Sequence, residues 1–353
     1  MKKTLSLILS LGFALLVSAQ PAGYYNSANG LTGNQLKVAL HNIIKGHSSI
    51  SYSQLWNAFW STDNKGNGIV WDMYSDKPNG NPPYVYHLGD DQCGNYNSEG
   101  DCYNREHSWP SSWFSDQNTP RTDLHHIFPV DGYVNNKRSN YAFGEVGSAS
   151  WTSQNGSKLG TCKTPGFSGT AFEPIDEYKG DFARAIMYMS VRYYSEDGGW
   201  SSSDMTTKSE IKPWAIDMLL RWNEQDPVSE KEKERNEAIY NDYQHNRNPF
   251  VDHPEYARMI WDPTWNVVDE TQLAVYLFPN PVEAGQILHV SGNCNDFDAI
   301  AICDLCGRTL LKASGHTVSD FAMTLPNGFA KGCYIVKLIR NGAVVKYEKL
   351  MVK

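Results

Sequence analysis

CYNREHSWPSSWF (Cys102–Phe114) and, a few residues on, RTDLHHIFPVDGYVNNKRSNYAFG (Arg121–Gly144) are the stretches on which the reading of this chain turns. Neighbouring residues on a strand point to opposite faces, so a strand through Asn104-Arg105-Glu106-His107 sends Glu106 and His107 to different sides. Asp131 is placed to cap a helix beginning at Gly132, on which Asn135 and Arg138 are three apart and share a face. The residue types suit cleavage of a phosphodiester. His107 can serve as a base near neutral pH. A carboxylate such as Glu106 with the amide oxygen of Asn135 suits magnesium, which prefers oxygen ligands and keeps several waters. Arg121 or Arg138 could present a planar fork to a phosphate oxygen. Taken singly, each feature has a plainer explanation. A Glu-His pair is commonly surface decoration, Asn135 can be a helix-surface residue, and Arg121 can pair with Asp123. The vicinal His125-His126 pair lacks the HExxH spacing of a zinc site.

Working outward, Thr32 and Gln35 have capping-box spacing, and Leu36, Leu40, Ile43 and Ile44 follow at helical period. A second short helix carries Leu55, Phe59 and Trp60, and Ile69 to Tyr74 reads as a strand. From Asp76 to about Asn104 the chain is rich in Gly, Pro, Asn and Ser; an irregular stretch of that length tends to be functional. Cys93 and Cys102 flank a Gly-bearing loop within it and form the best intrachain disulfide pair, which would stabilise by roughly 2–3 kcal/mol. Further helices are predicted with Asp181 as a cap, from Pro213 to Trp222, and from the capping box of Ser229 and Glu232 through Tyr243. The charges of Ser229–Glu237 read as a solvated helix face. Beyond about Leu273 short alternating strands (Ala299 to Cys303, Cys333 to Ile339, Val344 to Met351) with turns such as Asn341-Gly342 predict a small antiparallel β-sandwich.

Composition bounds the function. The net charge of −8 excludes a protein that grips a polyanion by bulk charge, so any hold on nucleic acid must come from a bound metal and a local patch. Lys2 and Lys3, the apolar run Leu5–Val17 and the small residues Val17-Ser18-Ala19 form an export signal over 1–19, too short to span a membrane. Export permits disulfides, and 7 Cys is an odd number, leaving at least one unpaired or paired between chains. Cys303 and Cys306 form a CxxC with Cys294 and Cys333 nearby, yet only one of the two close pairs that a four-thiolate zinc site needs is present.

In combination, the two quoted blocks, with VWDMYSD (Val70–Asp76) and NRNPFVDHPE (Asn246–Glu255), resemble the signature blocks of bacterial endonuclease I, in the right order over most of Val70 to Trp261. The resemblance implies an α+β fold with a ββα-metal (His-Me finger) core and surrounding helices over 20–267. It also implies cleavage of DNA, often RNA too, with little sequence preference and 5′-phosphate products. On the matching positions His107 is the general base, and Glu106 and Asn135 bind one Mg²⁺, with Mn²⁺ and Ca²⁺ left open. Arg121 is the favoured phosphate-binding arginine and Arg138 the second choice, and His125 is read as support for the site. Phe278-Pro279-Asn280-Pro281, Asp304-Leu305-Cys306-Gly307-Arg308 and the terminal Glu348–Lys353 resemble the C-terminal sorting domain of type IX secretion substrates, an immunoglobulin-like sandwich over 273–353. That resemblance implies passage across the outer membrane to release or cell-surface attachment. Competing readings are another metal-dependent phosphodiesterase using the same residues, an inactive surface-binding protein and, for the last domain, an accessory binding module.

Overall fold

The computed structural model describes residues 20–262, 275–292, 299–304, 307–314, 320–340 and 343–353. The chain divides into two units, Met1–Trp265 and Asn266–Lys353. In the first, α1 (Gly33–Ile44) buries Leu36, Leu40 and Ile44 at the expected period. Thr32 is its N-cap residue, but no side-chain cap hydrogen bond forms. Helix α2 (Leu55–Thr62) follows and buries Leu55, Ala58 and Phe59. The strand expected over Ile69–Tyr74 is reduced to isolated bridges, Asn64 with Val70 and Ile69 with His87. Asp72 ends it, because its Oδ1 accepts the Tyr74 N–H at 2.8 Å and folds the chain into a turn.

Next come β1 (Tyr103–His107), the single turn α3 (Asn118–Arg121), β2 (Ile127–Asp131) and α4 (Gly132–Arg138). A four-stranded sheet follows, built of β3 (Ala142–Phe143), β4 (Val146–Thr152), β5 (Lys158–Cys162) and β6 (Thr170–Glu173) in the order β3-β6-β5-β4. Helix α5 (Lys179–Arg192) is the axis of the unit, buried along its whole length against the aromatic core. Asp181, expected to cap it, instead lies in its first turn. The hairpin β7 (Thr206–Thr207) and β8 (Glu210–Ile211) leads to α6 (Pro213–Gln225), with Pro at its start, and to α7 (Glu230–Ala238). The capping box of Ser229 and Glu232 forms as the spacing predicts. Helix α7 runs on into a π turn, Ile239–Gln244, and the unit closes with α8 (Pro249–Asp252) and α9 (Tyr256–Trp261).

The charge run on α7 is solvated on one side only, at Glu230, Lys233 and Glu234. Lys231 reaches Asp181 at 2.5 Å, Glu232 takes Arg184 through both oxygens, and Arg235 bonds Asp63 at 3.0 Å, all of them buried. Sequence periodicity could not show this, because the partners lie on α5 and beside α2, far away along the chain. Arg247, in the Asn246–Glu255 block, is likewise spent on Asp252 and Glu237 and holds the fold together.

The second unit is all β. Strands β9 (Val275–Phe278), β10 (Ile287–Gly292) and β13 (Asp320–Thr324) form one antiparallel sheet. The other contains β11 (Ala299–Cys303), β12 (Thr309–Ser314), β14 (Gly332–Arg340) and β15 (Ala343–Val352). Leu288, Val290 and Met323 from the first sheet share a core with Ile300, Ile302, Val336 and Leu350 from the second, which makes a sandwich. Asn341-Gly342, Cys294 and Cys306 lie outside the described residues. Cys303 and Cys333 are free thiols, as is Cys162 in the first unit.

Candidate active site

Strands β1 and β2 pair antiparallel, from Tyr103 opposite Asp131 to His107 opposite Ile127. The chain passes straight from β2 into α4. Asp131 makes that turn possible: its Oδ1 accepts the Val134 N–H at 2.8 Å and caps the helix. Its Oδ2 accepts from the Tyr86 hydroxyl at 2.6 Å and the Gly100 N–H at 2.9 Å, tying the long irregular segment to the same corner. A Cβ at Gly132 would lie 2.7 Å from the Tyr96 ring, so only glycine lets that segment close over the helix start. Cys93 and Cys102 are joined as the sequence suggests.

Strand alternation divides the chemistry between two faces. Asn104 and Glu106 are two apart on β1 and share a face. Asn135 is on that side as well, because its Nδ2 donates to Asn104 Oδ1 at 2.6 Å. Glu106 is buried, and its Oε1 accepts from the Tyr74 hydroxyl at 2.8 Å and from Arg138 at 3.0 Å. Burial pushes this carboxyl up, and Arg138 and Tyr74 offset part of the rise. These bonds occupy Oε1 and the Asn135 amide nitrogen, so Glu106 Oε2 and Asn135 Oδ1 are the atoms left for a cation. One carboxylate oxygen and one amide oxygen fit a hydrated Mg²⁺, which takes few protein ligands and keeps its waters. Among the described residues no group of three or more His, Cys, Asp or Glu could form an all-protein cage.

The opposite face carries His107. The Nε2 of His107 lies 3.1 Å from the Arg121 carbonyl. A carbonyl only accepts, so Nε2 bears the hydrogen and Nδ1 keeps a bare lone pair. The ring is pushed down to about 3, chiefly by burial, then by the charge of His126 and of nearby arginines. Tyr52 lies parallel to His107, ring centroids 6.1 Å apart and planes 15° from alignment. The same tyrosine ring carries two guanidinium groups, Arg105 at 3.7 Å and Arg121 at 4.5 Å. Arg105 also stacks on Trp56 and donates to the Tyr52 carbonyl at 2.9 Å. Neither arginine has a carboxylate partner among the described residues, which suits a site awaiting an anion.

The structure separates the two arginine candidates. Arg138 is 1% exposed, and besides Glu106 it donates to the carbonyls of His107 at 2.9 Å and Ser108 at 2.6 Å. Its fork is consumed inside the fold, so it orients Glu106 and does not reach a phosphate. Arg121, half-buried on Tyr52, keeps its fork available. His125 is fully enclosed, its ring against Tyr188 at 4.6 Å and its Nε2 on the Asn246 carbonyl at 3.1 Å. It supports the wall behind the site and does not enter it. His126, not His125, is the imidazole beside His107, at 5.5 Å between rings. Sequence reasoning also missed Tyr52, Tyr74 and the roles of Asn104 and Arg105. Asn104 and Arg105 stood inside the decisive stretch, two residues and one residue ahead of Glu106, and strand alternation would have placed them. Tyr74 stood inside the block Val70–Asp76, whereas nothing local marks Tyr52.

Comparison with known proteins identifies the family. The profile of the family described as Endonuclease I matches residues 32–255. The "Extracellular ribonuclease" of Bacillus amyloliquefaciens is 42% identical over 253 residues, covering 69% of this chain and 80% of that protein. The "Extracellular ribonuclease" of Bacillus subtilis (strain 168) is 39% identical over 264 residues, covering 72% and 83%. An "Endonuclease-1" of Buchnera aphidicola subsp. Baizongia pistaciae is 30% identical over 131 residues, 37% of this chain and 46% of its own. On that profile match and these relatives, this chain belongs to the endonuclease I family.

Proposed function

We propose that the first unit is a secreted endonuclease that hydrolyses phosphodiester bonds of RNA and DNA with little sequence preference and leaves 5′-phosphates. The observation that carries this reading is the arrangement on β1. His107 offers an unprotonated Nδ1 on one face, while Glu106 Oε2 on the other face and Oδ1 of Asn135, which α4 ties to Asn104 of that face, are left without a bond among the described residues. In-line displacement needs a base for the attacking water and charge stabilisation at the leaving oxygen, and we assign these roles to His107 and to the cation side at Glu106. Glu106 and Asn135 would hold one Mg²⁺, whose chemistry is to stabilise the crowded phosphate and help the leaving oxygen. His107 takes the proton of the attacking water at Nδ1, and the Arg121 carbonyl holds the ring in that tautomer. Arg138 and Tyr74 fix the Glu106 carboxylate, Asn104 turns the Asn135 amide, and Arg121 neutralises charge on the phosphate.

RNA is supported as a substrate by the names of the two Bacillus relatives, and DNA by the family. Secretion is supported by the same names and by the export signal in residues 1–19, which lie outside the described residues. No helix among the described residues is long and apolar enough to cross a membrane. For the second unit, the resemblance at Phe278–Pro281 and Glu348–Lys353 supports a role in sorting by type IX secretion machinery. The direct test is digestion of plasmid DNA and of RNA with Mg²⁺, with and without EDTA, by wild type, His107→Ala and Glu106→Ala. General base catalysis contributes about 10²–10⁴-fold, so His107→Ala is expected to lose at least ~10²-fold. Near-wild-type digestion by either variant, or full activity in EDTA, would remove the assignment.

A further inference from the structure

A cleft of about 610 Å³ opens between the loop at residues 45–49, the start of α3 and the end of α5. Two of its three walls lead directly into the base side of the site. Residues 45–49 precede Tyr52 on one loop, and Asn118 and Thr119 precede Arg121 on α3. Its charges are one-sided once internal pairs are removed. Glu196 accepts from Arg192 at 2.9 Å and lies 3.6 Å from His41, so its charge is balanced within the fold. Lys45 is exposed and meets no carboxylate among the described residues. Ser49, Asn118 and Thr119, also exposed, have side chains that no described residue engages. One free ammonium with three neutral donor-acceptor groups, and no open aromatic floor, suits a sugar-phosphate better than a stacked base. With a net charge of −8, such a local cation matters more than any long-range field.

We infer that this cleft holds the sugar-phosphate backbone of the nucleic acid strand beside the bond being cut, with Lys45 contacting a flanking phosphate. The inference rests on the phosphodiesterase reading above. It is tested with full-length wild type, Lys45→Ala, Lys45→Glu and Asn118→Ala on single-stranded RNA of two and six nucleotides, over a range of NaCl concentration. Wild type is expected to favour the hexamer, and Lys45→Glu to compress that preference by about fivefold, the effect of one exposed charge contact. Lys45→Ala is expected to flatten the slope of log kcat/KM against log salt by ~0.7 on the hexamer, the share of one phosphate on a single strand. Asn118→Ala is expected to weaken the hexamer preference without altering the slope. If wild type cuts both RNAs while the Lys45 variants keep its slope and its length preference, the cleft assignment fails alone. If wild type with Mg²⁺ cuts neither these RNAs nor longer RNA and plasmid DNA, the phosphodiesterase reading fails and takes the cleft with it.

Discussion

Arg138→Met isolates the energetics of the site. The guanidinium makes three bonds, to Glu106 Oε1, the His107 carbonyl and the Ser108 carbonyl, and it stacks on Phe143 at 4.5 Å. Methionine keeps much of the volume and removes the charge. Glu106 is 2% exposed, so the substitution leaves a buried carboxylate with only the Tyr74 hydroxyl, a loss expected to cost about 3–5 kcal/mol. In a Glu106→Gln background the buried charge is gone, and what is lost is the set of bonds to two carbonyls, about 1–3 kcal/mol. The coupling between the two substitutions is therefore expected to be about 2 kcal/mol, well above the scatter of independent sites. Urea denaturation in EDTA followed by tryptophan fluorescence measures it. All 11 tryptophans fall at or before Trp265, so the signal reports on the first unit alone. Additive effects of Arg138→Met and Glu106→Gln, or a cost below 1 kcal/mol for Arg138→Met, would refute the view that Arg138 exists to hold that carboxylate.

Other outcomes follow from the same contacts. His107, His125 and His126 are pushed down to about 3, 3 and 4, in each case chiefly by burial. Imidazoles that bind protons more readily unfolded than folded contribute stability that is lost as pH falls from about 6.5 toward 4. The urea midpoint is expected to drop across that window, and a constant midpoint would contradict the enclosure of His125 and His126. The acid limb of kcat/KM is expected below pH 5, since His107 stays neutral there; a limb centred near 6.5 in the free enzyme would mean the imidazole is open to water. Cys93→Ser with Cys102→Ser removes the closed loop and is expected to destabilise the first unit by about 2–3 kcal/mol. Calorimetry that shows no change would mean the loop is already held by Asp131.

Much of the active corner was legible because its information is local. Alternation along Tyr103–His107 fixes which residues share a face, and the Asp131 cap fixes where α4 starts. The Cys93–Cys102 pair was readable from spacing within one loop. Features that depend on distant partners were not. Arg138 looked free to reach a phosphate because nothing in its own helix shows that Glu106 waits beneath it. The charges of α7 looked solvated because Asp63, Asp181 and Arg184 stand on other elements. Tyr52 left no sign at all, since a tyrosine in a loop reads as packing until two arginines are found on its ring.

Glu106 and His107 are joined by a single peptide bond, so the span between their Cα atoms is a covalent length that does not depend on packing. Insertions in the surrounding loops, or loosening of distant helices on warming, can change what approaches the two side chains but not the spacing of their anchor points. The tolerance this gives is uneven. An insertion between Glu106 and His107 would break that spacing, whereas one in a loop elsewhere in the unit would leave it as it is.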